Sequence, residues 1–136
     1  MKNEQFIVQS LKDAFQVDER IAAVYLYGSF VQGRMTPDSD LDVALLFRDD
    51  AVPDSMTLLD LGSRLSSIVG LEVDVLCLNT AGSIVAMQVL SNGRKVVERD
   101  SRRSVEFFVK TIELYDDLKT VRRPIEQSIL NGRIYG

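Results

Sequence analysis

Apolar residues follow two rhythms along this chain, and the switches between them mark out its elements. From Asn3 to about Gln16 they recur three and four apart (Phe6, Ile7, Leu11, Ala14, Phe15), which predicts an amphipathic helix capped by Asn3. Ile21 to Tyr27 is a β-branched and aromatic run ending at Gly28, a strand signal. A connection with Gly33, Pro37, Asp38 and Ser39 leads to a second predicted strand, Asp40 to Phe47, and then to a loop over 49–55 with Pro53. Leu58, Leu61, Leu65 and Ile68 lie on one face of a predicted helix from Ser55 to Val69, with Gly70 beyond its end. Leu71 to Leu78 reads as a third strand. Thr80 to Asn92 reads as a covering helix closed by Gly93 at the usual C-terminal glycine position. Arg94 to Glu98 reads as a short edge strand. Asp100 or Ser101 then caps a long helix to about Arg122, with Pro124 expected to interrupt it. Helices alternating with strands imply an α/β domain, one sheet covered by helices.

The totals narrow the chemistry. At 136 residues the chain is one domain and buries roughly two-thirds of its unfolded surface without a metal or disulfide staple. No apolar run approaches the ~20 residues of a membrane span, and residues 2–5 are charged or amide side chains where a signal peptide needs an apolar core. A soluble, cytoplasmic protein is expected. There is no histidine, which excludes histidine bases, histidine-bound zinc and Ser-His-Asp triads. The single cysteine, Cys77, lies in an apolar run and reads as a core filler. Catalysis must then rest on carboxylates, hydroxyls, Lys or Arg, and a bound hard cation. The first 100 residues hold 9 basic and 15 acidic side chains, so binding to nucleic-acid phosphates is not expected.

Three pieces carry candidate chemistry. Gly28-Ser29 ends a strand: a glycine there permits a sharp turn and close approach of a phosphate, and residues 30–32 are placed to form the first turn of an anion-binding helix. Taken alone the pair is more simply a turn with a serine cap. In Asp40-Leu41-Asp42, strand alternation puts both acids on one face while Leu41, Val43 and Leu45 point into the core. Paired carboxylates repel unless a cation intervenes, and such pairs suit Mg²⁺; a solvated strand edge is the plainer alternative. Asp74 sits in the apolar Leu71–Leu76 segment opposite Val73 and Val75, where an unpaired acid is costly if buried and unremarkable on an edge strand. Should this strand lie beside the Asp40–Asp42 strand, three carboxylates meet. Two Mg²⁺ ions held there would clamp an in-line phosphoryl displacement. Asp74, on the acceptor side, would take the acceptor's proton.

Gly28-Ser29, ten intervening residues and Asp40-Leu41-Asp42 together resemble the signature of the DNA polymerase β-like nucleotidyltransferases. With Gly33 and Ser39 to Val43 the pattern looks like their minimal (MNT) members over about residues 1–100. The resemblance implies a polymerase β-like fold with a mixed sheet. It assigns Gly28 and Ser29 to the nucleotide phosphates, and Asp40, Asp42 and Asp74 to two Mg²⁺ ions and catalysis, with ATP as substrate. Many members have Arg-Gly where this chain has Gln32-Gly33, so Arg34 is the candidate phosphate contact, with an exposed neutral role as the alternative. Residues 1–100 would be the nucleotidyltransferase core and 101–136 a helical extension of the same domain.

So short an extension leaves the acceptor site to be completed by a partner, as in the antitoxins of bacterial HEPN–MNT pairs. These transfer AMP from ATP to a tyrosine of the HEPN ribonuclease toxin (HepT-like) and silence it, which implies a hetero-oligomer. In the last helix Val105, Phe108, Ile112, Tyr115 and Leu118 form an apolar stripe, with Phe107 and Leu114 off it. One side can cover the sheet and the other meet a partner, or both can pack internally. The other functions in view are a small-molecule (antibiotic-type) adenylyltransferase and a binding-only antitoxin.

Overall fold

Two strands without a polar face set the architecture. β1 (Ile21–Tyr27) and β2 (Leu41–Phe47) bury almost every residue, so each needs cover on both sides. The computed structural model describes residues 3–31, 33 and 39–132, with side chains through residue 118. In it the two strands form the middle of a sheet ordered β3-β2-β1-β4, with β3 (Val73–Cys77) and β4 (Arg94–Glu98) at the edges. β1 runs antiparallel to both neighbours, whereas β2 and β3 are parallel, so the sheet is mixed.

Helices α1 (Glu4–Gln16) and α2 (Ser55–Val69) cover one face. Ile7, Leu11 and Phe15 from α1 and Leu61, Leu65 and Val69 from α2 pack there on Leu41, Val43, Leu45 and Phe47. Helix α3 (Ser83–Asn92) and the first turns of α4 (Ser101–Gly132) cover the other, where Ala86, Val89 and Phe107 meet Ala23, Tyr25, Ala44 and Leu46. The helix ends follow local chemistry: Asn3 caps α1 through the Phe6 N–H at 2.8 Å, and Asp54 caps α2 through the Thr57 N–H at 2.8 Å. The Asp100 carboxylate accepts from the Arg103 N–H at the start of α4.

Three details depart from expectation. Helix α4 continues through Pro124 to Gly132: a proline withholds one backbone donor, and the turns on either side carry the helix across. Gly93 ends α3 in extended geometry (φ −78°, ψ 169°) rather than the left-handed one. Its constraint is space, because a Cβ would overlap the Val89 carbonyl and lie 3.1 Å from that of Leu26. The segment from Leu78 to Thr80 is a turn of 3₁₀ helix, so β3 is shorter than its apolar run.

The start of β3 is fixed by one side chain. Ser66 Oγ donates to the Gly62 carbonyl at 2.9 Å and accepts from the Val73 N–H at 2.9 Å, tying α2 to the residue before Asp74. On the other side of β3, the Glu72 carbonyl accepts from the Leu41 N–H at 2.8 Å. Ser66→Ala leaves the partly buried Val73 donor unpaired, at a cost of about 1–3 kcal/mol. Urea unfolding should show a lower midpoint with an unchanged slope; an unchanged midpoint would mean that this hydroxyl does not hold the strand.

Candidate functional site

The site grows from the register of three strands. Asp42 of β2 lies opposite Asp74 of β3 and opposite Tyr27 of β1. Leu41 and Val43 are locked into the core on the α1–α2 side with Val73 and Val75. Strand alternation therefore turns Asp42 and Asp74 to the other face, where they are neighbours on strands about 4.8 Å apart. Asp74 is exposed on its edge strand, Asp42 is half-buried, and Asp40 is exposed just before β2 begins.

Electrostatics marks Asp42 as the strained member. Burial, then the charges of Asp74 and Asp40, push its carboxyl above the usual carboxylate range. Tyr27, which sequence reading did not single out, is held in the same field. Burial first, and then Asp42 and Asp74, push its phenol up to about 12, so it stays protonated and keeps a donor beside the acids. Alternation along β1 placed Tyr27 on this face once Asp42 was seen to pair with it. Ser66 was also missed; its signal is only a helix serine seven residues before a strand.

The turn after β1 supplies the second part. Gly28 has φ +75°, and a Cβ there would overlap the Asp42 carboxylate. Only glycine therefore allows both the turn and the placement of Asp42. Ser29 follows it, half-buried. Beyond it the Gly33 N–H donates to the Phe30 carbonyl at 3.3 Å; the helix turn expected over residues 30–32 includes a residue outside the described ones. Gly33 at φ +70° redirects the chain, and Phe30 and Val31 pack on the core. Gln32 and Arg34 lie outside the described residues.

The donor set has the chemistry of a hard-cation site. Asp42 and Asp74 offer in-register carboxylate oxygens whose mutual repulsion a cation would relieve, with Asp40 alongside. Among the described residues no group of three such side chains is arranged to hold an ion by itself. A pair of carboxylates is the kind of donor set that Mg²⁺ takes, completing its shell with water and substrate phosphates.

Residues 9–102 match the model of the polymerase beta nucleotidyltransferase family. The protein adenylyltransferase MntA of Shewanella oneidensis is 29% identical over 130 residues, 94% of this chain and 88% of that protein. A protein of the same name from Thermococcus cleftensis is 29% identical over 82 residues, 60% of this chain and 77% of the other. Among solved structures, a toxin–antitoxin crystallised with AMP-PNP superposes with a TM-score of 0.74 at 29% identity, over 95% of this chain and 99% of the other. A chain of the complex between a tri-AMPylated HEPN toxin of Shewanella oneidensis and MNT antitoxin shares the fold at 23% identity, with a TM-score of 0.74 over 94% of this chain and 99% of the other.

A raised carboxyl gives the pH dependence its sign. The fold disfavours ionised Asp42, so this group's contribution to stability falls as pH rises from the ordinary carboxylate value through the raised native one. The cost is fully present at neutral pH. Asp42→Asn removes it, so in chelator the variant should melt a few degrees above the wild type at pH 7, and the gap should close near pH 3. A variant that melts lower at pH 7 would show that Asp42 is not under repulsion.

Proposed function

Because this chain belongs to the polymerase beta nucleotidyltransferase family, we propose that it is an Mg²⁺-dependent antitoxin enzyme. In this reading it transfers AMP from ATP to a tyrosine of a partner HEPN ribonuclease toxin and silences it. The observation that carries the chemistry is the Asp42–Asp74 pair, in register on adjacent strands beside the Gly28 turn. Support for the acceptor comes from the similarity to MntA, which extends beyond the core into α4, and from the likeness to a toxin–antitoxin holding AMP-PNP.

Each residue then has a role. The Gly28-Ser29 turn, with Arg34 beyond it, holds the β- and γ-phosphates through backbone N–H groups, a hydroxyl and a cation. Asp40, Asp42 and Asp74 would hold Mg²⁺, which when bound neutralises phosphate charge and acidifies the acceptor hydroxyl. The tyrosine oxygen attacks the α-phosphorus in line, the bond from that phosphorus to the bridging oxygen breaks, and pyrophosphate leaves. The hydroxyl proton passes to Asp74, which is exposed on its edge strand. A phenol has a pKa near 10, so its activation is the demanding part, and orientation supplies much of the remainder. The neutral Tyr27 hydroxyl adds a donor without adding charge.

Residues 1–100 act as the catalytic core, and 101–136 as a helical extension of the same domain that meets the partner. In α4, Ser104, Phe107 and Thr111 face the sheet while Val105, Phe108 and Val109 face outward. This helix thus keeps an apolar row for a second protein after its own packing is satisfied. The lining acids and an overall charge of −4 fit a protein acceptor better than a nucleic acid.

Two substitutions test the reading. Asp74→Asn should leave ATP and partner binding intact yet abolish transfer. Intact-mass spectrometry of the co-expressed toxin should show whole AMP units with the wild type and none with the variant, and protection of the cells should be lost. A fully inhibited but unmodified toxin in the wild type would sink the enzymatic reading in favour of inhibition by binding alone. Gly28→Val forces a Cβ into the Asp42 carboxylate and a β-branched side chain into a left-handed conformation, so transfer should fall at least a hundredfold, roughly 2.7 kcal/mol. Unimpaired transfer by this variant would show that the turn does not cradle the nucleotide.

A further inference from the structure

Beside the carboxylates lies a cavity of about 310 Å³ lined by Tyr27, Gly28, Val85, Gln88, Val89 and Asn92. It opens on the sheet face that carries Asp42 and Asp74, and Gly28, part of its wall, also abuts Asp42. Across the sheet, Asp74, Asp42 and Tyr27 occupy three neighbouring strands, so Tyr27 stands about 10 Å from Asp74 at strand spacing. That is roughly the reach of a nucleoside from its α-phosphate to the far edge of its base. Opposite Tyr27, α3 turns three exposed side chains outward, Val85, Gln88 and Asn92, spaced three and four apart so that they share one helix face.

The lining has the chemistry of a base pocket. Tyr27 offers an aromatic ring, a surface on which bases stack. Val85 and Val89 are apolar. The Gln88 and Asn92 amides each present a donor and an acceptor side by side, the pairing that matches the amino group and ring nitrogen of adenine. None of these five side chains carries charge, unlike the acids beside them, so this wall suits the uncharged base.

We propose that Gln88 and Asn92 read the edge of the nucleotide's base against Tyr27, and so set the preference of this chain for ATP. The assignment rests on the nucleotidyltransferase reading above, since it needs the phosphates at the Gly28 turn and the α-phosphorus beside Asp42. It makes α3, which contributes no residue to the motif, the element that chooses the substrate. Neither residue touches the reacting atoms; both act on specificity alone.

The test uses the full-length chain and measures binding of ATP, UTP and inorganic triphosphate in Mg²⁺, with Gln88→Ala, Asn92→Ala and the double variant. Both side chains are exposed on the helix, so the variants should keep the wild-type melting temperature. Lost hydrogen bonds to the base should reduce the preference for ATP over UTP about tenfold in each single variant and further in the double. Inorganic triphosphate, which has no base, should bind all forms alike. An ATP-to-UTP ratio that stays at the wild-type value in the double variant would overturn this assignment while leaving the catalytic reading in place. An equal loss for all three ligands would overturn it too, since the residues would then be acting through the phosphates. A wild-type chain that binds none of the three would overturn both readings together.

Discussion

The parallel register of β2 against β3 is the constraint from which the rest of the site follows. It begins with the Leu41 N–H donating to the Glu72 carbonyl and sets Asp42 against Asp74. A slip of one residue would turn every side chain of a strand to the opposite face. Here that would drive carboxylates into the α1–α2 core and bring Leu41 and Val43 out of it. The buried residues between the acids therefore do more than fill space: Leu41, Val43, Val73 and Val75 make every other register costly. Ser66 closes the arrangement from the outside, because an edge strand has no further neighbour to accept its outward N–H groups.

Holding acids this way costs stability, and the protein accommodates the cost locally. Asp42 is half-buried among like charges, a poor choice for stability alone. Around it the chain has given up bulk where bulk would clash, at Gly28, and has placed a neutral phenol where a further ionised group would add repulsion. These features share one logic: the pocket stays acidic enough to attract a cation and is otherwise kept free of charge.

Much of this was legible in the sequence because it rests on alternation, which is local. The two acids of Asp40-Leu41-Asp42 had to share a face, Asp74 had to oppose its flanking valines, and the order of helices and strands followed from hydrophobic spacing. Legibility stopped where the cause was a neighbour distant in sequence. Gly28 was expected for the sake of the turn and a phosphate, yet its tightest contact is with Asp42, fourteen residues on. Gly93 reads as a helix stop but is needed for the close approach of Val89 and Leu26. Pro124 has the opposite lesson: a strong local signal did not end α4. Tyr27 and Ser66 were missed for the same reason as the contact between Gly28 and Asp42, since their partners come together only after strands pair and a helix docks.

The charge of the site also dictates an order for binding. A nucleoside triphosphate brings several negative charges toward a face that already holds Asp40, Asp42 and Asp74, on a chain with a net charge of −4. Like charges at such separations repel by several kcal/mol where water is partly excluded, and one or two hydrogen bonds from the Gly28-Ser29 turn do not offset that. In the proposed enzyme the cation must therefore arrive with the nucleotide. Affinity that does not depend on charge has to come from the other end of the ligand. The uncharged wall formed by Tyr27, Gln88 and Asn92 is where the fold can provide it. In the proposed enzyme the division is a physical one: the strands would supply a charged end that drives the chemistry, and α3 a neutral end that selects the nucleotide.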